Sequence, residues 1–336
     1  MRLVPRVVKA PTFTAGARET VELRVDRIVH HWVLALGFTW NVAGGTGAGS
    51  FHSDPQARAL REWVLNGNNK PLVKMGGGAL YLYTLLFLRE MFTNIPPDNL
   101  AAGAAQTGRE LAIYLPAAMG HALPGQEETF GLPPVANPSM EFLFGDASDL
   151  ALGADGAATY SAQTSRLVEW SYDNPRVPAV MRNGKRVPVG FAPFMARTQT
   201  QAVNGTEDLT FKLDEVAAGY ELRAIIIEAQ SGGAAGGADY VYDDDVVTEV
   251  SEFVINDDEK YKPVRFRDVQ QENKRNYQLA DLQTGCAVID AAADMNIARG
   301  ELWTHGTRSV PYIKLACEKQ GAELNRVSVT SIYTAR

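Results

Sequence analysis

Histidines are the side chains in this sequence best suited to bind a transition metal. A metal site on a β-sandwich needs imidazole and carboxylate ligands that converge on one point. Of the five histidines, two are adjacent, and adjacent side chains on a strand point to opposite faces. The second half of the chain contains a single histidine. We therefore exclude an arrangement in which each half of the chain has its own metal site. A single site in the first half is given little weight. The five residues are His30, His31, His52, His121 and His305.

Carboxylates form the other set of possible metal ligands. Asp243, Asp244 and Asp245 are consecutive, and calcium binds clustered carboxylate oxygens. The simpler interpretation is a solvated loop, and bound calcium is the alternative. A second acidic run, residues 257–259, is expected to occupy a solvated hairpin turn.

The patterns of a covalent hydrolase are absent from the sequence. It has no G-x-S-x-G motif and no Cys–His pattern of a thiol protease. Paired carboxylates that cleave glycosides leave no spacing signature, so a glycan-active hydrolase stays an alternative. Tryptophans that line a sugar groove are another, but all except Trp40 fall inside apolar strands, which favours the core: Trp32, Trp40, Trp63, Trp170 and Trp303. We predict no catalytic residue, no cofactor and no enzyme.

Composition bounds the class of protein. The chain has 336 residues, of which 46% are hydrophobic and 21% charged, as in ordinary globular proteins. Its net charge of −7 argues against a nucleic-acid partner, since affinity for phosphates comes mostly from Lys and Arg. Cys286 and Cys317 lie in apolar runs and are expected to be buried thiols. No apolar run reaches the roughly 20 residues of a membrane span, and no signal peptide is visible, so we expect synthesis and folding in a cytoplasm.

The two halves of the chain match each other in sequence. Residues 62–66 (EWVLN) match residues 252–256 (EFVIN), and residues 21–28 match residues 209–216 in the same order. The offsets between the matched segments are 190 and 188 residues. Two colinear matches with nearly equal offsets indicate an internal duplication of a unit close to half the chain.

The elements around these matches are mostly short strands. Residues 19–27 alternate apolar and polar side chains, which predicts a half-buried strand, and residues 31–40 predict a more fully buried one. Asn66-Gly67 between two strand-like runs predicts a hairpin with a type I′ turn. Each half has one helix candidate, at residues 79–92 and 268–282, and a glycine-rich loop, at residues 44–50 and 231–238. The predicted fold class is all-β with a few helices, as two tandem jelly-roll β-sandwiches.

These elements divide the chain into four parts. We predict an N-terminal arm at residues 1–14, a first jelly roll at 15–173, a linker at 174–193 and a second jelly roll at 194–336. The arm carries Arg2, Arg6 and Lys9 between prolines; it either lies along the edge of the domain or reaches a neighbour or an anionic surface. The proline-rich linker is expected to contain a small hairpin around Asn183-Gly184.

The order of these elements resembles the double jelly-roll major capsid proteins of tailless, membrane-containing icosahedral bacteriophages, of the corticovirus and tectivirus type. The resemblance lies in residues 20–27, residues 62–75 with the helix that follows, residues 110–116, and residues 286–289 followed by 301–304. It does not explain why the helix of the first half is apolar and that of the second half polar.

The resemblance implies a structural function. Three subunits would form a pseudo-hexagonal homotrimeric capsomer, and capsomers would tile a virion shell over a lipid vesicle. The implied partners are neighbouring capsomers, a vertex (penton) protein and the internal membrane through residues 1–14, without direct contact to nucleic acid. The chain would be synthesised in the host cytoplasm and located in the virion. A carbohydrate-binding module, or the hydrolase named above, is the alternative function.

Overall fold

The computed structural model describes residues 3–9, 11–12, 14, 16–41, 49–51, 55–88, 99–100, 105–117, 131–146, 149, 151–152, 159–173, 179–182, 185–188, 195–213, 220–233, 240–255, 258–261, 263–279, 282–290, 303–304 and 310–335. The chain divides into two compact units, Met1–Phe194 and Met195–Arg336. Each unit has its own hydrophobic interior.

The first unit is built mainly from strands. In chain order its elements are β1 (Leu3–Val8), β2 (Arg18–Glu22), β3 (Val29–Asn41), β4 (Gly49–Phe51), α1 (Pro55–Ala59), β5 (Leu60–Gly67), β6 (Lys70–Gly76), α2 (Gly77–Tyr83, continued by a π-helical turn at Thr84–Leu88), β7 (Asn99–Leu100), β8 (Ala105–Pro116), β9 (Ser139–Phe144), β10 (Ala151–Leu152), β11 (Thr159–Tyr172), β12 (Ala179–Arg182) and β13 (Lys185–Pro188).

Eight of these strands form the two sheets of a sandwich. Sheet 1A has the order β1-β11-β3-β8, and sheet 1B has the order β2-β9-β5-β6, with every neighbouring pair antiparallel. When the eight strands are numbered along the chain, sheet 1A reads 1-8-3-6 and sheet 1B reads 2-7-4-5. Two four-stranded sheets whose strands are connected across the sandwich in this order form a jelly roll.

The second unit contains β14 (Met195–Val203), β15 (Glu207–Lys212), β16 (Tyr220–Gly233), β17 (Val241–Tyr242), β18 (Val247–Ile255), β19 (Asp258–Tyr261), β20 (Val264–Arg265), α3 (Phe266–Tyr277), β21 (Cys286–Asp290), β22 (Trp303–Thr304), β23 (Tyr312–Cys317) and β24 (Leu324–Ala335). Sheet 2A has the order β14-β24-β16-β21, and sheet 2B the order β15-β23-β18-β19. Numbered along this unit, the strands again read 1-8-3-6 and 2-7-4-5.

This identity of strand order confirms the fold class and the duplication that the sequence predicts. The matched residues 62–66 lie in β5 and residues 252–255 in β18, and both strands are the fourth of their unit. The second match pairs β2 with β15, each the second strand of its unit. Helices α2 and α3 both stand between the fifth and sixth strands.

Alternation of side chains along the strands builds both cores. In β3, Trp32, Leu34 and Leu36 point inward with 0–1% of their surface exposed. In the second unit, Phe211 and Phe253 from sheet 2B pack in one cluster with isoleucines of β16. Each such fully buried side chain stabilises the fold by roughly 1.5–3 kcal/mol relative to the exposed state.

The difference in polarity between the two helices has a structural explanation. Helix α2 buries apolar side chains such as Leu80 and Leu82. Helix α3 buries apolar side chains too, but among them it also buries amides that hydrogen-bond the backbone of β21. The Asn273 Nδ2 donates to the Val288 carbonyl at 2.6 Å, and the Val288 N–H donates to Asn273 Oδ1 at 2.7 Å. Asn273 thus bonds β21 as a neighbouring strand would, so α3 needs a polar face. None of the described helices is long and apolar enough to cross a membrane.

Several predicted details differ in position. The first hairpin is confirmed, but its two positive-φ residues are Asn68 and Asn69 rather than Asn66-Gly67. The acidic residues 258–259, predicted in a turn, belong to β19. Residues 3–8 of the predicted arm form β1 at the edge of sheet 1A, as in the edge-strap alternative. The small hairpin around residues 183–184 is confirmed by the pairing of β12 with β13.

The helices and glycine-rich loops are shorter than predicted where they can be compared. Helix α3 spans residues 266–277, against the predicted 268–282, because Gln278 adopts a left-handed φ of 54° that ends it. The predicted first helix extends to residue 92, but residues 89–92 lie outside the described residues. Of the glycine loops, residues 49–50 lie in β4 and 231–233 in β16, and the rest lie outside the described residues.

Candidate functional site

The adjacent histidines of β3 meet instead of pointing to opposite faces. Trp170 pairs with His31 and Ser171 pairs with Val29, so His30 is the extra residue of a β-bulge. The Nδ1 atoms of His30 and His31 lie 2.7 Å apart. The prediction of opposite faces is wrong here, because the bulge interrupts the alternation along the strand.

His31 is held in an aromatic environment. Its ring stacks on Tyr114 at a centroid distance of 4.4 Å and on Trp170 at 5.8 Å. Burial, and secondarily the neighbouring His30, lower the pKa of His31 from 6.5 to about 3, so this imidazole is neutral at physiological pH. Among the described residues, no three His, Cys, Asp or Glu side chains are grouped so that they could hold a metal ion.

Two of the aspartates at residues 243–245 bond side chains of α3. The Asp244 Oδ1 accepts hydrogen bonds from Gln270 Nε2 and from the Gly285 N–H, both at 2.6 Å. The carboxylate of Asp245 accepts from a guanidinium of α3, also at 2.6 Å. Asp244 therefore does structural work, and the prediction of a merely solvated loop is wrong for it. Asp245 is exposed, as predicted, and its bond to α3 lies at the surface.

The tryptophans divide into two groups. Trp32 and Trp63 are completely buried, which confirms their predicted place in the core. Trp170 is only half-buried and lies on the outer side of sheet 1A, so the core prediction is wrong for it. The side chains of Trp40 and Trp303 lie outside the described residues.

The two cysteines are buried, as predicted from their apolar neighbours. Burial, together with the carboxylates of Glu207 and Asp208, raises the pKa of the Cys317 thiol to about 12. A thiol with so high a pKa is almost never a thiolate at neutral pH and is a poor nucleophile.

The basic residues of the N-terminal segment have different roles. Arg6 of β1 bonds Glu169, whose side chain is fully buried, at 2.9 Å, and Asp26 at 3.1 Å. Burial raises the pKa of Glu169, although its bond to Arg6 acts in the opposite direction. Lys9 is exposed, and Arg2 lies outside the described residues. The two ion pairs of Arg6 thus hold β1 against the sandwich.

The outer side of sheet 1A carries apolar residues in register across all four strands. The inward residues of β3 alternate with His31, Val33 and Ala35 on this outer side. Cross-strand pairing extends them into rows of adjacent side chains. The first row is Pro5, Trp170, His31 and Pro116, and the second is Val7, Val168, Val33 and Tyr114. Val7 at one margin has 73% of its surface exposed.

The outer sides of the other three sheets are polar on sheets 1B and 2B and mixed on sheet 2A. On sheet 1B, Arg18 bonds Glu62 at 2.7 Å and Glu141 at 3.2 Å. On sheet 2B, Lys314 bonds Asp208 at 2.7 Å. Sheet 2A carries hydroxyl pairs, Thr198 with Thr330 at 2.7 Å and Thr200 with Ser328 at 2.8 Å. Beside them lie the completely buried Ile226 and Ile332. The outer sides of sheets 1A and 2A therefore both carry apolar residues, whereas sheets 1B and 2B present ion pairs.

A shallow groove of about 410 Å³ lies on the outer side of sheet 2B. Its lining consists of Thr210, Lys212, Glu252, Val310, Tyr312 and Lys314. The Tyr312 hydroxyl donates to Glu252 at 2.8 Å. Among the described residues of this lining, Glu252 is the one carboxylate, whereas glycoside cleavage requires two. The groove thus does not fit a glycoside hydrolase.

The sequence contains a signal for the apolar face that strand-by-strand prediction missed. An antiparallel sheet with one solvated side shows alternation of apolar and polar residues, and runs that are apolar at successive positions indicate strands covered on both sides. The runs VLALG in β3 and LAIYLP in β8 are of the second kind. Identifying the face required the register, which is a property of the fold.

Comparison of the sequence alone finds no matching family model and no significantly similar curated protein. Comparison of the structure finds viral capsid proteins. The major capsid protein of Sulfolobus turreted icosahedral virus matches with a TM-score of 0.65 and 15% identity, over 100% of this chain and 97% of that one. Protein P2, the major capsid protein of bacteriophage PM2, matches with a TM-score of 0.57 and 14% identity, over 100% and 99%.

A third match is the capsid of the virus PBCV-1, with a TM-score of 0.61 and 9% identity, over 99% of this chain and 93% of that one. At such identities the likeness concerns the fold, and it extends over nearly the full length of each chain. Both sandwiches, with their shared strand order, are included in it. The chain therefore has the double jelly-roll fold of viral major capsid proteins.

Proposed function

We propose that this chain is the major capsid protein of an icosahedral virus. The observation that carries the proposal is the pair of sandwiches with identical strand order, matched from end to end by viral major capsid proteins. The function is structural rather than enzymatic. It depends on the outer surfaces of the sandwiches and on no catalytic residue.

The duplicated fold suits a shell made of near-hexagonal tiles. Three copies of a chain with two similar sandwiches supply six similar walls, so a homotrimer forms a pseudo-hexagonal capsomer. Contacts between copies in such a ring are heterologous and close on themselves. Capsomers then pack against one another in the shell and against a vertex protein at the fivefold positions.

The location and partners follow from the same proposal. The chain is made in the host cytoplasm and resides in the virion shell. Its net charge of −7 suits a shell that does not bind the genome directly. An internal membrane lies beneath the capsomers, nearest to residues 1–14, where exposed Lys9 is available to anionic headgroups.

Light scattering of the purified chain during size-exclusion chromatography tests the assembly. We expect a stable trimer of about 110 kDa from three 36.6-kDa chains, and electron micrographs with hexagonal particles. A monomer that binds glycans would instead favour the carbohydrate-binding alternative and contradict the proposal.

The proposed membrane contact is better tested by a single substitution than by deletion of the first residues. Deleting residues 1–12 also removes β1 and the bond between Arg6 and Glu169, so loss of assembly would have no clear cause. Replacing exposed Lys9 by Glu leaves β1 in place. We expect weaker binding of trimers to vesicles that contain anionic lipid, with unchanged trimer mass. Unchanged vesicle binding would remove the proposed role of this segment.

A further inference from the structure

The turn between β14 and β15 carries an exposed Asn-Gly pair, Asn204-Gly205. Three such pairs occur in the chain, beginning at residues 66, 183 and 204. An Asn-Gly pair is chemically labile, because glycine has no Cβ to shield its backbone nitrogen from the amide of the preceding side chain. Residues 183–184 lie outside the described residues, and the surroundings of the other two pairs differ.

The pair that begins at Asn66 is held by its neighbours in sheet 1B. The Asn66 Nδ2 donates to Glu141 Oε1 at 2.9 Å and to Ser139 Oγ at 3.3 Å. Gly67 is buried and belongs to β5, where it pairs with Lys70 of β6. The side-chain amide and the backbone nitrogen that would react with each other are therefore both fixed within the sheet.

The pair that begins at Asn204 lacks such restraints. Within the described part of the chain, neither the side-chain amide of Asn204 nor the Gly205 N–H has a hydrogen-bond partner. The turn is held through other backbone groups: the Asn204 N–H donates to Glu207 Oε1 at 2.6 Å, and the Gly205 carbonyl accepts from the Lys319 N–H at 3.1 Å. The space that a Cβ of Gly205 would occupy is open. The two reacting groups are thus free to approach each other.

We propose that Asn204 is a site of spontaneous deamidation. The Gly205 nitrogen, after loss of its proton, attacks Cγ of Asn204 and closes a five-membered succinimide ring, and the side-chain nitrogen leaves as ammonia. Water then opens the ring at either carbonyl and yields aspartate or isoaspartate. The conversion consumes one water and needs no enzyme, oxidant or reductant. It adds one negative charge to the −7 of the chain, and the inference does not depend on the proposed function.

The modified residue stands at a corner of the second sandwich. The turn leads from β14 of sheet 2A to β15 of sheet 2B, and the buried Val203 and Leu209 anchor the chain on its two sides. Isoaspartate lengthens the main chain by one carbon atom between these anchors. We therefore expect a local change of charge and main-chain path, with the core residues in place and the fold retained.

The same asparagine is also an acceptor for a different modification. With Thr206, residues 204–206 form the Asn-Gly-Thr sequence of N-linked glycosylation. That reaction needs an oligosaccharide donor and a transferase, whereas deamidation needs water alone, so the exposed Asn-Gly geometry favours deamidation. Mass distinguishes the two, because exchange of an NH₂ group for OH adds only about 1 Da and a glycan adds a whole oligosaccharide.

Ageing of the purified full-length chain tests the proposal. The chain is incubated at about pH 7 and about pH 8, and peptide mapping by mass spectrometry follows residues 66 and 204 in the same sample. We expect conversion at Asn204 to be at least about tenfold faster than at Asn66, since groups fixed in a sheet react only after local opening. We expect it to be about tenfold faster at the higher pH, because the ionised fraction of a backbone amide rises tenfold with each pH unit.

The matched variant is Gly205→Ala, which places a Cβ beside the attacking nitrogen. Because the space there is open, the variant should fold, as circular dichroism verifies, and should deamidate about tenfold or more slowly than the parent. Equal conversion at the two asparagines, an unchanged rate in the variant, no conversion at Asn204, or a glycan mass on Asn204 would overturn the proposal.

Discussion

A buried ion pair in the second unit offers the sharpest test of how that sandwich is stabilised. Arg223 of β16 and Asp290 of β21 form a salt bridge with 0% and 1% of their side-chain surfaces exposed. Tyr277 of α3 donates its hydroxyl to Asp290 at 2.6 Å. The Asp290 carboxylate thus joins a sheet strand to the helix that covers its edge. Replacing Asp290 by Asn keeps the shape of the side chain but removes the charge that compensates Arg223.

The expected cost follows from burial. Removal of one partner from a buried pair leaves an uncompensated charge and costs about 3–5 kcal/mol. For a unit of this size, each kcal/mol of stability that is lost lowers the melting temperature by about 3 °C. We therefore expect the melting temperature to decrease by roughly 10–15 °C. Replacing Tyr277 by Phe leaves the ion pair in place and removes one hydrogen bond to a charged acceptor, at a cost of about 1.5–3 kcal/mol.

Urea unfolding and thermal unfolding followed by circular dichroism measure these losses. The exposed pair of Lys314 with Asp208 is the control, because replacing Asp208 by Ala removes only a solvent-screened surface bridge. The double replacement of Arg223 by Met and Asp290 by Leu should recover most of the loss, since apolar residues of similar volume often replace a buried pair without cost. If Asp290→Asn destabilises no more than Asp208→Ala, the reasoning from burial is refuted.

Three further outcomes are expected. Because the pKa of folded His31 is about 3 against 6.5 when exposed, stability should be full above pH 6.5 and fall by up to about 1.4 kcal/mol per pH unit below it; His31→Phe should flatten urea midpoints measured between pH 4.5 and 7.5. Cys317, with its pKa near 12, should react with a thiol reagent only after unfolding, and reaction in the native state would contradict its burial. Gly77→Ala should cost more than 2 kcal/mol or so, since its Cβ would lie 1.8 Å from the Leu60 carbonyl; the control Gly205→Ala, with open space around it, should be neutral in the same melting assay.

Much of the architecture was accessible from the sequence because it depends on local patterns. The alternation in residues 19–27 marks β2, and the repeated segments at residues 62 and 252 mark the same strand of each unit. A strand pattern defines which residues face inward, and inward residues determine how two sheets pack. Two copies of one pattern therefore predict two sandwiches.

Other features depend on the register between strands that are distant in the chain. The bulge at His30 arises where β3 meets β11, some 140 residues later, and no local signal marks it. The bonds of Asp244 to Gln270 and Gly285 likewise join separate segments. The position of the turn at Asn68-Asn69 is mispredicted for a different reason. Residues 66–69 all have similar turn preferences, so the local sequence does not show which two of them form the turn.

The four outer faces show what duplication leaves free to change. Inward residues of both units are constrained by the same packing, whereas outward residues are constrained only by what each face contacts. Sheets 1A and 2A hold corresponding strands. The third strand is apolar on the outer side of both, with Val33 in β3 and Ile226 in β16, whereas the eighth strand changes from Val168 in β11 to Thr330 in β24. Corresponding faces with the same partner would have similar chemistry. The change from valine to threonine in the eighth strand therefore indicates that this strand has different neighbours in the two units.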